Sequence, residues 1–214
     1  MSTRKLLFRL IPLAAIAMQL PAAELVVRDL QVTLANRPSE FDYTVVTETS
    51  QTSGPDGFDG GLGLEVGGRW SFARPGDSFG LVVGVDALLD AQSYGGGDGL
   101  ATTWLRLSAG PGYAISDAWT VVGGIGAQYG MSALSLPKTQ SSPAFEATGT
   151  AMGYDLRMEV SWLATRRFGV GATAGWLISS HDLSGDADIT IDQSGWFAGL
   201  SVIWRFIDAP PRLE

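Results

Sequence analysis

The chain has 214 residues, 45% of them hydrophobic and 17% charged, and its 22 acidic residues outnumber 14 basic ones to give a formal net charge of −8. That balance excludes the basic surface a nucleic-acid partner requires, and the lack of cysteine excludes disulfides, thiolate metal sites and a thiolate nucleophile. Glycine, at 28 residues, is abundant enough to need a structural reason.

Residues 1–23 read as a secretory signal peptide: Arg4, Lys5 and Arg9, an apolar run from Leu10 to Met18, then Leu20-Pro21-Ala22-Ala23 with small residues for a peptidase. The apolar run falls short of the roughly 20 residues of a spanning helix. Its removal takes three basic residues and leaves the mature chain more acidic. Over residues 24–40, Leu30, Val32 and Leu34 alternate, which fits either an extra short strand or an extension ahead of the first one.

No later segment reaches 18 consecutive apolar residues, so spanning helices are not expected. Instead period-two runs follow one another. They cover Phe41 to Ser50, Phe58 to Phe72, Phe79 to Ala91, Leu100 to Tyr113, Trp119 to Met131, Met152 to Trp162, Phe168 to Ile178 and Trp196 to Phe206. Pro111 threatens the ladder of the fourth, because proline cannot donate to a neighbour. Short connections are expected near Arg74–Ser78, Ser116–Ala118 and Thr165–Arg167, and longer loops at Gln51–Gly57, Ser93–Gly99, Ser132–Thr150 and Asp182–Gly195.

The sixth and seventh runs show what the faces mean. Met152, Tyr154, Leu156, Met158, Val160 and Trp162 alternate with Gly153, Asp155, Arg157, Glu159 and Ser161; after the turn, Phe168, Val170, Ala172, Ala174, Trp176 and Ile178 alternate mainly with glycine. A face that is charged or nearly bare, opposite a long apolar row, suits a narrow polar interior and an exterior wetted by lipid. The expected fold is all-β: an eight-stranded antiparallel up-and-down transmembrane β-barrel over residues 41–206, with a polar, side-chain-filled lumen and a tail at 207–214. Trp70, Phe72, Phe79, Tyr113, Trp119, Trp162, Phe168, Trp204 and Phe206 all flank the short turns or end the last strand, as an interfacial girdle would.

The signal peptide, the eight runs and the last strand, Gly199-Leu-Ser-Val-Ile-Trp-Arg-Phe206, resemble the small outer-membrane barrels of the OmpA/OmpX/opacity type. The resemblance implies a non-enzymatic barrel that supports envelope integrity or presents surface loops to partners; the even strand count and the short turns lead to the expectation that both termini are periplasmic, and residues 24–40 are extra to the family pattern, either a short strand or a periplasmic extension. It implies that Gly199, Trp204 and Phe206 carry the signal read by the barrel-assembly machinery. Outer-membrane lipid and lipopolysaccharide would surround it, and the long loops could take a surface ligand. The chain departs from the pattern by continuing past Phe206.

Inward positions carry Asp42, Glu48, Glu65, Asp86, Asp90, Asp155 and Glu159 against Arg69, Arg106, Arg157 and Arg205. Buried charges must pair, since an unpaired ion costs several kcal/mol. Glu65, Arg69, Asp86, Arg106, Asp155, Arg157, Glu159 and Arg205 are therefore expected to form a lumen ion-pair network that closes the barrel to general porin conduction. Arg157 lies at its centre, with Asp155 and Glu159 roughly 6.5–7 Å away on the same face. An ion path along the acidic excess is the other reading of these residues.

His181 is the single histidine, with Asp182 and Ser184 beside it at the expected mouth. This suggests an alternative function, a lipid A-modifying acyl hydrolase or acyltransferase using His181 and Ser184. The loop acids Asp182, Asp186, Asp188 and Asp192, with Asp98, are hard oxygen donors; Asp186 and Asp188 are the metal candidates. No nucleotide loop or His-Glu-x-x-His motif occurs, and no cofactor is expected.

Overall fold

The structure, a computed structural model, describes residues 24–74, 77–95, 97–136 and 145–207. The signal peptide read over residues 1–23 and the tail beyond Ile207 lie outside the described residues, as does the side chain of Asp98.

Ten strands form one antiparallel sheet: β1 (Glu24–Asn36), β2 (Glu40–Val46), β3 (Gln51–Gly57), β4 (Gly60–Ala73), β5 (Phe79–Tyr94), β6 (Gly97–Ala114), β7 (Trp119–Leu136), β8 (Phe145–Leu163), β9 (Phe168–Gly185) and β10 (Asp188–Ile207). Eight of them, β1 and β4 to β10, pair in sequence order, and β1 pairs back onto β10 to close a barrel. Side-chain alternation explains the closure. On β8, Met152, Tyr154, Leu156 and Met158 are each more than half exposed, while Asp155 and Arg157 between them are buried.

The strand count agrees with the sequence reading, but the first strand is a different segment. Residues 24–36, left open as strand or extension, pair on both sides: Asp29↔Arg205 through Ala35↔Gly199 with β10, and Glu24↔Ala73 through Asn36↔Leu62 with β4. The run from Phe41, taken as the start of the barrel, becomes β2, and the expected loop at Gln51–Gly57 becomes β3. These two form a hairpin that continues β1 and β4 beyond a bend at Arg37-Pro38-Ser39, with β2 paired to the upper part of β10. Two inward glutamines, Gln92 and Gln193, donate to the Pro38 carbonyl and fix that bend. Asp42 and Glu48, placed in the lumen by alternation, are exposed on this hairpin instead.

The loops opposite the short turns are also shorter than expected, because the strands run on with their hydrophobic phase reversed. On β9, Ile178 points outward at 56% exposure, whereas Leu183 points inward at 2%. On β10, Trp196 points outward and Ile191 inward; Met131 and Leu134 on β7 show the same switch. Below the switch apolar groups face lipid. Above it they face each other, and Thr150, Asp182, Ser184 and Asp192 face outward. Phe58, Leu100, Leu134, Ala147, Leu183, Ile189 and Ile191 thereby build an apolar core that caps the lumen at the hairpin end.

Strand β6 passes through Pro111, which sits opposite Leu81 on β5. On the other side the ladder to β7 skips from Ala109↔Ile125 to Gly112↔Val122. Glycine at positions 110 and 124 lets the strands close over the missing donor, and a Cβ at Gly110 would collide with the Gly123 carbonyl.

Candidate functional site

The charged groups of the lumen come from β4 (Glu65, Arg69), β5 (Asp86), β6 (Arg106) and β8 (Asp155, Arg157, Glu159), each at an inward position of its strand. Arg106 is fully buried and takes Asp155 in a two-pronged grip, Nε to Oδ2 at 2.6 Å and Nη2 to Oδ1 at 2.8 Å. Its Nη1 donates to Asp86 at 2.9 Å. Arg69 donates to Asp86 as well, and to Glu65 at 3.3 Å. Arg157 donates to Glu65 at 2.7 Å and Asp155 at 3.0 Å, and lies 5.1 Å over the ring of Phe197.

These contacts close on themselves. Passing Arg69, Asp86, Arg106, Asp155, Arg157 and Glu65 in turn returns to Arg69, so three guanidinium groups and three carboxylates alternate in a ring. Glu159 bridges Arg69 at 3.2 Å and Arg157 at 3.4 Å from outside that ring. The arrangement answers the main cost of burial, because each arginine meets at least two acceptors and each ring carboxylate two arginines.

Seven of the eight residues expected in the network thus stand together. Arg205 does not join them: it grips Asp29 of β1 at 2.9 and 3.0 Å, nearer the short turns. Sequence reasoning missed Asp29 and also Arg37, which donates to Asp90 at 2.7 Å while Trp104 Nε1 donates to the other oxygen at 2.8 Å. The signal was present, since Asp29, Gln31 and Thr33 alternate with Leu30, Val32 and Leu34, but it belonged to a segment not assigned to the barrel.

His181 is buried at 2% exposure, inside the barrel beneath the apolar cap. Ser132 Oγ lies 2.8 Å from its Nδ1 and Ser179 Oγ 3.3 Å from its Nε2, and Thr102 continues the chain to Ser132 at 2.8 Å. The indole of Trp104 packs edge-on at 5.4 Å. Ser184, three positions along the strand, is exposed on the outer face, so the expected His181–Ser184 pairing does not form. Asp182 also points outward and accepts from Thr190 at 3.2 Å.

Asp186 and Asp188 sit at and beside the β9–β10 turn, where Asp186 accepts the Glu146 backbone N–H at 3.1 Å. No group of three or more metal-ligating side chains comes together among the described residues. Of the residues taken as an assembly signal, Gly199 packs inward between Ala35 and Thr173, while Trp204 and Phe206 point outward. Toward the short turns the lumen widens into a cavity of about 120 Å³ lined in part by Asp29, Arg69, Glu159, Ser201 and Arg205.

No protein-family model matches the chain, and no curated protein matches it. Among solved structures, the outer membrane protein OprG from Pseudomonas aeruginosa superposes with a TM-score of 0.51 at 8% identity, over 86% of this chain and 98% of that one. Neisserial surface protein A gives a TM-score of 0.46 at 13% identity, over 88% of this chain and 99% of that one. Ail, the attachment invasion locus protein of Yersinia pestis, gives 0.41 at 14% identity, over 86% and 100%. At these identities the likeness is one of fold. Ring closure, strand alternation and the OprG superposition together give this chain the fold of the small outer-membrane β-barrels.

Proposed function

We propose that the chain is an integral protein of the outer membrane with a closed lumen, which supports the envelope or presents its raised hairpin end to partners, and performs no chemistry. The observation that carries this reading is the closed arginine–carboxylate ring beneath an apolar cap, enclosed by strands whose outer face is apolar. In an eight-stranded barrel the interior is only wide enough for side chains to fill, and here the arginine–carboxylate ring fills its middle with mutually satisfied ions. An even number of strands and short turns on one side support a periplasmic position for both termini. The β2–β3 hairpin and the upper parts of β8 to β10 then stand outside the cell, among lipopolysaccharide, where a surface ligand would meet Thr, Ser and Asp side chains. Gly199, Trp204 and Phe206 on β10 are the residues offered to the barrel-assembly machinery. Planar-bilayer recording tests the closed lumen: the purified protein should give no steady large conductance, and such a conductance would refute the reading.

The 2.8 Å approach of Ser132 to His181 favours one second reading, a lipid A acyl hydrolase or acyltransferase with Ser132 in the place first given to Ser184. A serine beside a histidine is the minimal nucleophile–base pair, although here Ser179, not a carboxylate, meets the second ring nitrogen. Mass spectrometry of lipid A decides between the readings. Identical lipid A from cells with and without the protein supports the structural role, and an acyl-chain difference abolished by Ser132→Ala supports the enzyme.

A further inference from the structure

Formal charge in the lumen leaves one group over. The six-membered ring is balanced, and so are the pairs Arg37–Asp90 and Arg205–Asp29. Among the buried charged groups of the described residues, Glu159 is the remaining carboxylate. Its Oε1 takes both the Arg69 and the Arg157 contacts, from cations already matched within the ring, and no described group donates to its Oε2. Glu159 lines the 120 Å³ cavity on the side of the short turns.

A second observation falls beside the cavity, which Ser201 lines and Thr173 adjoins through its pairing with Glu159. Thr173 Oγ1 and Ser201 Oγ are buried without hydrogen-bond partners, in residues only 4% and 6% exposed. Thr173 lies directly across the β8–β9 ladder from Glu159, and Ser201 occupies the adjacent inward position on β10, opposite Gly171 and one pair from Thr173↔Gly199. Cross-strand neighbours of this kind have Cβ atoms about 5 Å apart, and diagonal ones about 7–8 Å. Buried hydroxyls without partners are rare in folded proteins and call for a reason. The Ser201 hydroxyl lies over the bare face of Gly171, where a Cβ would come within 2.6 Å of Oγ.

We propose that Glu159, Thr173 and Ser201 form a binding site for a small monovalent cation, an alkali metal ion or an ammonium group, entering from the short-turn end. One net negative charge matches one positive charge, and the two hydroxyls supply neutral oxygens. A divalent ion would leave excess positive charge beside three arginines. At about 120 Å³ the cavity is well above the roughly 10–15 Å³ that one water needs, so the ion can keep part of its hydration. Because the ion-pair ring closes the lumen beyond it, the site holds the cation and does not pass it.

The test is unfolding of the purified barrel in detergent at fixed ionic strength, with sodium, potassium or ammonium chloride replacing the chloride of N-methyl-D-glucamine, a cation too bulky to be enclosed by one carboxylate and two hydroxyls. A ligand that binds only the folded state raises the unfolding midpoint saturably. Such a rise is expected for the wild type, and its dependence on sodium, potassium or ammonium identifies the cation. Glu159→Gln should abolish it, and Thr173→Val with Ser201→Ala should raise the half-saturating concentration at least tenfold. Should Glu159→Gln fail to fold, Gly171→Ala, which crowds Ser201 Oγ, should abolish the rise as well. Equal rises in wild type and all variants would mean general screening, and no rise in the wild type would mean that water alone fills the site; either result overturns the proposal.

Discussion

Arg106 holds Asp155 through two parallel hydrogen bonds, at 2.6 and 2.8 Å, with no part of the guanidinium exposed. Truncating it would take from Asp155 and from Asp86 one of their two arginines at once and open the ring. Removing one partner from a buried ion pair typically costs about 3–5 kcal/mol, so Arg106→Ala should lower the unfolding midpoint in urea sharply. Arg166→Ala, in the exposed β8–β9 turn, should change it by less than about 0.5 kcal/mol. Equal midpoints for the two variants would contradict the ring.

Arg157→Ala should behave like Arg106→Ala for a related reason. It releases Glu65, Asp155 and Glu159 and also removes the cation over Phe197. Since both arginines serve the same ring, the double variant should cost less than the sum of the singles, a coupling readable by a double-mutant cycle. Additive losses would mean that the two act independently.

The reversal of hydrophobic phase predicts opposite tolerances along the outer surface. Leu156→Arg places a cation in the lipid-facing band and should cost roughly 2–4 kcal/mol if it lies near the midplane. Ser184→Arg, on the outer face above the reversal, should cost less than about 0.5 kcal/mol. Unfolding from lipid vesicles compares them directly.

The same reversal makes neighbours unequal at the hairpin end. Leu183, 2% exposed within the apolar cap, should cost about 2–5 kcal/mol when truncated to alanine, whereas Ser184→Ala, one residue along and facing out, should be nearly neutral. On a detergent gel the unboiled wild type should migrate ahead of the boiled form, because a closed sheet resists mild detergent.

Most of the barrel was legible in the sequence because the lipid band writes a strict alternation, with Asp155-Leu156-Arg157-Met158-Glu159 as its clearest phrase. The ring residues followed from parity alone. What escaped notice did so where parity carries no sign. Phe41 to Val46 alternates as well as any membrane strand, so nothing local reveals that its apolar residues pack over a cap and not into lipid, while the short alternation of Leu30, Val32 and Leu34 leaves strand and extension equally open for Glu24–Asn36. His181 illustrates another limit: its chain neighbours Asp182 and Ser184 were the visible candidates, but its contacts are Ser132 from β7 and Ser179 two positions back. Such cross-strand encounters depend on register, which a single chain does not display.

Strands β7, β9 and β10 are each amphipathic twice, in opposite senses, and the crossover acts as a depth gauge set in the covalent chain. Adding two residues to β9 between Ile178 and Leu183 would preserve both faces and merely raise the cap relative to the bilayer. Adding one would turn every side chain beyond it to the other face, sending Leu183 toward water and Asp182 and Ser184 into the cap. Length changes at this latitude of the barrel are therefore tolerated only in even steps, which makes the parity of insertions here a physical constraint on how the exposed end can vary while the lipid-facing part stays fixed.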